Sequence, residues 1–190
     1  KGYLHLDPNI ITTNECEGGA GVFQITEKDI TNLDTLEKTK TGKYDWNSDH
    51  FTCPTFLTVS SQLQLEAMAC SLGNVYTVNK SFRSEHSLTS KHVSEFTHLE
   101  IEIINNTLDD LMNVGEEMIK YSIDQIFKRS NEDIENLNKF ISKGIVEKLK
   151  YLKECEYKRI TYKEVLVIIN DDIKNKDLKL DIIKYGDDLG

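Results

Sequence analysis

The stretch from residue 74 to residue 104 constrains the fold most, because its side chains alternate with the period of a β-strand. Val75 and Thr77 begin the alternation, and residues 80–82 continue it. After a Ser/Thr-rich loop over residues 85–91, a second run is dense in β-branched and apolar residues, which is the composition of a strand. One face of this second run carries Phe96, His98, Glu100, Glu102 and Ile104. The pattern predicts two paired strands joined by a polar loop.

Charged side chains interrupt this strand pattern. Arg83 and Glu85 lie on one side of the first strand, near its end. Glu95, or Glu100 with Glu102, faces them from the second strand. One interpretation is a solvated sheet face with cross-strand ion pairs. The other is a ligand platform, in which an arginine fork binds phosphate or carboxylate, a glutamate accepts from a base amine, an aromatic ring stacks on the base and a second carboxylate holds an ammonium group. The pattern alone leaves both open.

The same segment resembles motif 2 of the class II aminoacyl-tRNA synthetases, in their aspartyl/asparaginyl subgroup. That motif consists of Phe-Arg-x-Glu, a variable loop, Arg or Lys followed by His, then x-x-Glu-Phe and an acidic pair. The match is specific, because every constrained position is occupied within residues 82–102. These positions are Phe82, Arg83, Glu85, Lys91, His92, Glu95, Phe96, Glu100 and Glu102.

The resemblance implies a role for the nucleotide-facing residues of the segment. The family activates its amino acid with ATP and then transfers the acyl group to the 3′ end of tRNA. By position, Arg83 is expected to be catalytic and to bridge the α-phosphate and the amino-acid carboxylate. Glu85 would accept from the adenine amine, Phe96 would stack on adenine, and His92 would reach the outer phosphates. The expected cofactors are ATP and Mg²⁺, with the metal ligand expected downstream of this chain and no metal site within it.

Two further segments are similar to amino-acid-binding motifs of the family. Residues 15–23 form a glycine-rich turn that, taken alone, is typical of an ordinary loop. In the resembled family this turn is a loop that closes over the amino acid, with Glu17 near its ammonium group. Gln62 and Glu100 are implied to share that role, although Gln62 alone also fits a solvated first turn of a helix.

Leu65 bears on which amino acid is bound. Residues 60–66, SSQLQLE, are similar to the asparaginyl version of a substrate-pocket motif. The aspartyl version carries a lysine at this position, and that lysine pairs with the carboxylate of the substrate side chain. Leu65 cannot form this pair, and a missing buried charge partner costs enough for strong discrimination. The resemblance therefore favours asparagine over aspartate.

The beginning of the chain predicts a further strand. Residues 2–12, GYLHLDPNIIT, alternate in polarity and are interrupted at Pro8. They resemble the end of motif 1, which forms the dimer interface in the family, and this implies a homodimer for the intact protein. Asn9 stands where the family has its proline. Residues 27–50 are polar and predict irregular structure with a turn at Thr41-Gly42.

Helices are predicted from apolar spacing and caps. Residues 55–72 predict a short strand and then a helix capped by Ser60 or Ser61, with Leu63, Ala67 and Cys70 at helical spacing and Leu65, Ala69 and Leu72 beside them. Residues 107–128 predict an amphipathic helix capped by Asn106 or Thr107, whose apolar positions should pack in a core. These positions are Leu108, Leu111, Val114, Met118, Ile119, Ile123 and Ile126.

The remainder predicts two helical stretches and a strand. Residues 134–152 predict a helix with a break at Gly144. Residues 161–170 predict another, in which Thr161 and Glu164 form a capping box. A polar connection over residues 171–177 and a strand over 178–185 complete the chain.

Composition limits the class of protein. Apolar residues make up 38% and charged residues 29% of the 190, which is ordinary for one globular domain. The net charge of −9 shows no basic nucleic-acid-binding character overall. The four cysteines form no C-x-x-C pair and no zinc spacing, which is typical of reduced thiols. With no signal peptide and no apolar run of bilayer length, we expect a cytoplasmic protein without membrane contact.

The resemblance implies an α+β fold, a class II synthetase-type antiparallel β-sheet flanked by helices. The fold is expected to be incomplete, because the motif 3 strand-helix and the N-terminal OB barrel are absent. Residues 1–190 would be part of the catalytic domain, with the end of motif 1 at 1–12, motif 2 at 74–104 and a helical insertion at about 107–170.

The implied function belongs to the intact parent protein. It is ATP-dependent activation of asparagine and its ligation to tRNA(Asn), and this piece alone is expected to be inactive. Three alternatives stay open. They are an aspartyl-tRNA synthetase, an ammonia-dependent paralogue that resembles asparagine synthetase, and a non-catalytic remnant that binds nucleotide or a partner.

Overall fold

The structure is a computed structural model that describes residues 2–13, 21–85, 92–176 and 180–187. In these ranges the chain forms β1 (Leu4–His5), β2 (Ile11–Thr12), β3 (Gln24–Ile25), β4 (Thr55–Leu57), α1 (Gln62–Leu72), β5 (Val75–Phe82), β6 (Glu95–Glu102), α2 (Leu108–Arg129), α3 (Asn131–Phe140), α4 (Ile145–Glu154) and α5 (Tyr162–Asn175). Two compact units result, Lys1–Thr107 and Leu108–Gly190. Their boundary coincides with the start of the predicted helical insertion, whose assignment as an insertion stays a prediction.

The predicted strand pair is confirmed. Strands β5 and β6 form an antiparallel ladder that runs from Val75 opposite Glu102 to Phe82 opposite Glu95. Strand β1 joins the other edge of β5, in parallel, so the strand order is β1-β5-β6. The sheet is therefore mixed and combines one antiparallel and one parallel pair. The α+β fold class is confirmed.

A second sheet explains the predicted break near Pro8. Strand β4 pairs antiparallel with β2 on one side and with β3 on the other. Strands β1 and β2, on either side of the proline, therefore belong to different sheets. The buried Thr58 links the two sheets through its backbone, because its N–H donates to the Ile10 carbonyl at 2.8 Å and its carbonyl accepts from the Phe82 N–H at 2.8 Å.

Helix α1 packs on β5 and β6 through a narrow apolar stripe. Leu65 and Ala69, four residues apart on one face, form a buried cluster with Val75, against which Leu6 packs. The predicted helix is confirmed, but not all of its apolar positions are internal. Ala67 and Cys70 are exposed, and Leu72 is 43% exposed. The sheet covers only the one face that carries Leu65 and Ala69.

Helices α2, α3 and α4 pack against one another in the second unit. The predicted break at Gly144 is confirmed, since this residue takes a left-handed conformation with φ 87° and leads into α4. The predicted capping box is also confirmed. The Glu164 N–H donates to Thr161 Oγ1 at 3.3 Å, and the Thr161 N–H donates to Glu164 Oε2 at 2.7 Å.

The predicted core role of the α2 apolar face is mostly wrong. Ile123 is the buried residue of this helix. Other members of the stripe are exposed to 38% or more, and they are Leu108, Leu111, Met118, Ile119 and Ile126. A periodic apolar pattern shows which side of a helix is amphipathic, but it does not show that a neighbouring element covers that side.

Two predictions near the end of the chain are wrong. Helix α5 continues to Asn175, so residues 171–175 are helical and do not form a connection. The described residues of the predicted 178–185 strand, 180–185, contain no strand. Both backbone polar groups of Ile183 form hydrogen bonds with the side chain of Asn170 instead of with a neighbouring strand. The Asn170 Nδ2 donates to the Ile183 carbonyl and its Oδ1 accepts from the Ile183 N–H, each at 2.9 Å.

The region over residues 27–50 is irregular, as predicted. It contains two short 3-10 helices, Leu33–Thr35 and Trp46–Ser48. The predicted turn at Thr41-Gly42 is also present, and Gly42 has φ 79°. The buried Asp49 carboxylate accepts from the hydroxyls of Thr26 and Tyr44. The Thr26 hydroxyl is the main cause that lowers the pKa of Asp49 below its ordinary value.

We predict that Leu65→Ala lowers the free energy of unfolding by about 2–5 kcal/mol, because it leaves a cavity in the cluster beneath α1. Leu72→Ala is the matched control on the same helix, and it should cost clearly less because that side chain is 43% exposed. Leu65→Met should retain most of the stability, since it preserves volume. Urea unfolding monitored by circular dichroism measures all three, and equal losses at positions 65 and 72 would contradict the packing described.

Candidate functional site

One face of β6 carries the residues that the sequence singles out. At a period of two along the strand, this face presents Phe96, His98, Glu100 and Glu102, which we call the polar row. Opposite the row on β5 lie the buried residues Ser81, Thr77 and Val75. The start of α1 lies beside the Glu100 end of the row, because Glu100 accepts hydrogen bonds from Ser60 and Ser61.

Arg83 lies at the Phe96 end of the polar row. Its N–H donates to the Ser94 carbonyl at 3.0 Å, which extends the strand pair by one residue. The guanidinium carbon lies 5.4 Å from the centroid of the Phe96 ring, within range of a cation–π contact. Among the described residues, Arg83 Nε is buried and has no hydrogen-bond acceptor. A phosphate or carboxylate oxygen would supply that acceptor.

Of the two alternatives for the residues that face Arg83, Glu95 is wrong, whereas Glu100 and Glu102 lie on the same face as Arg83. Glu95 lies on the opposite face of the strand pair, where its Oε1 is 3.0 Å from Lys80 Nζ. Both side chains are about half exposed, so this pair is a solvated cross-strand ion pair. The ion-pair interpretation of the sequence thus applies to that face. On the polar-row face, Arg83 forms no ion pair within the part of the chain that the structure describes.

Glu85 and His92 come together at the loop end of the strand pair. Glu85 Oε2 lies 3.9 Å from His92 Nε2, and both side chains are partly exposed. The loop between them, residues 86–91, lies outside the described residues, and so does the motif residue Lys91. Two of the predicted nucleotide-binding residues are therefore neighbours.

Glu100 has a structural contact that the sequence analysis missed. Its side chain is only 8% exposed and accepts from the Ser60 hydroxyl. The Ser61 N–H donates to both carboxylate oxygens, at 3.0 and 2.9 Å. Glu100 therefore caps the first turn of α1, where an acid is also favoured by the helix dipole. Its predicted role toward an ammonium group stays a prediction.

His98 was not predicted as a site residue, although it lies between two that were. Its Nδ1 is 3.1 Å from the hydroxyl of Ser81 and 3.6 Å from Glu100 Oε2. Its ring is tilted against Phe96, with centroids 5.4 Å apart. The signal in the sequence was its position in the alternation, halfway between Phe96 and Glu100.

The far end of the polar row is negatively charged. Burial raises the pKa of Glu102 above its ordinary value, and the nearby carboxylates of Glu66 and Glu100 raise it further. This arrangement favours a positively charged group. Within the ranges that the structure describes, no set of three or more His, Cys, Asp or Glu side chains has an arrangement suited to a metal ion.

The predicted amino-acid-binding residues on α1 have different surroundings. Gln62 begins the helix, where its N–H donates to Ser60 Oγ at 3.0 Å and its amide donates to Glu66 Oε1 at 2.8 Å. It therefore lies close to Glu100, which accepts from the same Ser60. Leu65 is fully buried in the cluster beneath the helix. Its predicted part in substrate choice stays a prediction.

The end of the glycine-rich segment is anchored beside Arg83. The Ser84 N–H donates to the Gly21 carbonyl at 2.8 Å, and the Ser84 hydroxyl donates to the Val22 carbonyl at 3.3 Å. A Cβ atom at Gly21 would lie 2.5 Å from Ser84 Oγ and 2.8 Å from the Ser84 carbonyl oxygen. Glycine is therefore required by this close approach. Glu17, in the same segment, lies outside the described residues.

Comparisons with known proteins identify the family of the chain. A family model described as "tRNA synthetases class II (D, K and N)" matches residues 1–186. An asparagine–tRNA ligase of Clostridium botulinum is 35% identical over 190 residues, which are 100% of this chain and 40% of the relative. An asparagine–tRNA ligase of Clostridium tetani is 38% identical over 169 residues, 89% of this chain and 36% of the relative.

A solved structure shows the same fold. It is the asparaginyl-tRNA synthetase from Pyrococcus horikoshii complexed with asparaginyl-adenylate, with a TM-score of 0.70 and 28% identity. The similarity covers 100% of this chain and 35% of that one. The chain thus spans about 40% of the length of the curated relatives it matches. No helix within the described ranges combines the length and the apolar character that a membrane crossing requires.

We predict that Gly21→Ala destabilises the protein by about 1–3 kcal/mol, because the new methyl group overlaps the Ser84 backbone oxygen, which cannot rotate away. Gly2→Ala is the control, since a Cβ there meets nothing within 4 Å. Urea unfolding of both variants measures the difference. Unchanged stability of Gly21→Ala would contradict the close approach of the two segments.

We predict that Glu102→Gln makes the protein more stable than wild type at pH 7. Because the pKa of Glu102 is raised in the folded state, the folded protein holds this proton more tightly than the unfolded chain, and stability falls as the carboxyl ionises. Glutamine carries no charge and avoids this cost. The advantage should disappear below about pH 4, where the acid is protonated in both states.

Thermal or urea unfolding of the Glu102→Gln variant over pH 3.5–8 (roughly the range in which carboxyls titrate) measures this dependence. Glu117→Gln, on the exposed side of α2, is the control and should change stability little at any pH. Loss of stability in Glu102→Gln at pH 7 would show that the Glu102 carboxylate makes a favourable contact instead.

Proposed function

The chain belongs to the class II tRNA synthetase family (D, K and N), and on this basis we propose that it is part of an enzyme that activates asparagine with ATP and ligates it to tRNA(Asn). The single observation that carries the proposal is the position of the Arg83 guanidinium, whose Nε atom is buried. This group lies over the Phe96 ring, and its Nε has no acceptor among the described residues. The names of the relatives support the choice of asparagine.

The proposed chemistry begins with attack of the asparagine α-carboxylate on the α-phosphorus of ATP. The phosphorus–oxygen bond to pyrophosphate breaks as the new acyl phosphate bond forms. Two anionic groups must approach each other, so the protein contributes mainly by positioning and by neutralising charge. Arg83 can bind one oxygen of each group through its planar fork. The α-carboxylate and the α-phosphate are then held together, and the repulsion between their negative charges is reduced.

The remaining nucleotide contacts follow from the neighbours of Arg83. Phe96 offers an aromatic face for adenine, and Arg83 already covers part of that ring. Glu85 would accept from the adenine amine, and His92 would contact the outer phosphates. Their side chains lie 3.9 Å apart at the loop end of the strands. Mg²⁺ would be held by the phosphates of ATP. The described residues include no group of three or more His, Cys, Asp or Glu side chains that could hold it.

The amino acid is proposed to bind at the Glu100 end of the polar row. The negative potential there, which contributes to the raised pKa of Glu102, would attract the ammonium group. Glu100 and Gln62 are the proposed contacts, together with Glu17 from the glycine-rich segment. Leu65 supports asparagine over aspartate, because an apolar side chain cannot pair with a substrate carboxylate.

We also propose partners, an oligomeric state and a location for the intact protein. The partners are asparagine, ATP and tRNA(Asn), and the intact protein is proposed to be a homodimer without membrane contact. The cytoplasm is the proposed location, which the free thiols of Cys53, Cys70 and Cys155 fit. Since the chain spans about 40% of the length of its relatives, activity is proposed for a longer polypeptide, and the 190-residue chain alone is proposed to be inactive.

We predict that the longest reading frame containing this chain catalyses asparagine-dependent exchange between ATP and pyrophosphate. Arg83→Ala should lower the exchange rate by about 100- to 1,000-fold, because it removes the donors to the reacting anions. Arg83→Lys should recover only part of the rate, since lysine keeps the charge but not the planar fork. Arg129→Ala, an exposed arginine at the end of α2, is the control and should leave the rate unchanged.

Three results would contradict the proposal, each in a different way. Exchange with aspartate alone would identify an aspartyl enzyme. Exchange with asparagine that is insensitive to Arg83→Ala would place the reaction elsewhere in the protein. Absence of exchange with either amino acid would leave a binding role as the better explanation of the site.

A further inference from the structure

His98 occupies the middle of the polar row, between the side chain proposed for adenine and the one proposed for the ammonium group. Its side chain is 28% exposed, so it is accessible from the face on which both ligand groups would lie. Alternate residues of a strand are about 6.6 Å apart, so Phe96 and Glu100 are separated by about 13 Å. An aminoacyl adenylate bound across this distance would pass directly over His98.

Ser81 determines which nitrogen of His98 carries the proton. The Ser81 side chain is fully buried, and its hydroxyl has His98 Nδ1, at 3.1 Å, as its hydrogen-bond partner among the described residues. A buried hydroxyl that donated to nothing would be left unsatisfied. Ser81 therefore donates to Nδ1, and the proton of the neutral imidazole is on Nε2.

Glu100 lies near His98 but does not form a hydrogen bond with it. The Nδ1–Oε2 distance of 3.6 Å is longer than a hydrogen bond. The Glu100 carboxylate already accepts from the Ser60 hydroxyl and the Ser61 N–H. Nε2 is thus left as a hydrogen-bond donor that neither Ser81 nor Glu100 uses.

We propose that His98 is a further substrate-contact residue, whose Nε2–H donates to an oxygen of the link between the adenosine and the amino acid. The inference rests on the proposed function, because it uses the positions proposed there for adenine and ammonium. The acceptor in this link is a phosphate oxygen, a group that neither asparagine nor adenosine contains on its own. Arg83 would bind it from the loop end of the strands, and His98 would bind it from beneath.

The test compares a joined ligand with its separate parts. The probe is 5′-O-[N-(asparaginyl)sulfamoyl]adenosine, a stable analogue of the adenylate, and the parts are asparagine and adenosine. Binding of each is measured by calorimetry to the longest reading frame containing this chain. The variants are His98→Leu, which fills the space without a donor, and His98→Gln, whose amide can donate to the link and accept from Ser81.

We expect His98→Leu to weaken binding of the joined analogue by about 10- to 100-fold, which corresponds to one hydrogen bond to a polar or charged acceptor. Binding of asparagine and of adenosine should stay within about twofold of wild type, because neither part contains the phosphate or the sulfamoyl group that replaces it in the probe. His98→Gln should recover most of the affinity. Ser81→Ala gives a second measure, and it should weaken the joined analogue less than His98→Leu while leaving the separate parts unaffected.

Two results would overturn the inference while the proposed function stands. In one, His98→Leu binds the joined analogue as tightly as wild type. In the other, all three ligands are weakened equally, which would show that His98 only supports Phe96 and Glu100. If wild type fails to bind the analogue at all, the proposed function fails first and the His98 contact fails with it. Thermal unfolding of each variant checks that the fold is retained.

Discussion

The buried carboxylate of Glu100 joins the two elements that form the site. The first turn of a helix has N–H groups without partners inside the helix, and Glu100 satisfies that of Ser61 from a neighbouring strand. The hydroxyl of Ser60 adds a second contact to the same carboxylate. This interaction sets where α1 starts relative to β6. The position of Gln62 relative to the polar row, and the burial of Leu65 beneath the helix, both depend on it.

The elements that the sequence predicts well are those determined by local interactions. The alternation over residues 74–104 predicts β5 and β6, and the Thr161–Glu164 pair predicts the start of α5. Predictions that depend on distant neighbours succeed less often. The apolar stripe of α2 is largely exposed, and the expected last strand is replaced by a side-chain contact from Asn170. No local pattern shows which neighbour a face will meet.

In the candidate site, too, the sequence predicts the residues that local spacing defines and misses those that depend on long-range contacts. Motif spacing identifies Arg83, Glu85, His92 and Phe96, and the structure brings these residues to one end of the strand pair. Motif spacing could not show that Glu95 lies on the opposite face with Lys80, because the pairing register across the loop decides this. It also missed the cap made by Glu100 and the position of His98. Both depend on contacts between segments that are distant in sequence.

The backbone of Thr58 restricts how far the two ends of the site can move relative to each other. Its carbonyl accepts from the N–H of Phe82, the residue before Arg83, and Ser60 and Ser61 follow it by two and three residues. One peptide segment thus couples the arginine end of the site to the start of α1. A displacement of this segment would move both together, so the two halves of the site have little freedom to drift apart. Hydrogen exchange at the Phe82 amide would report how often this coupling opens.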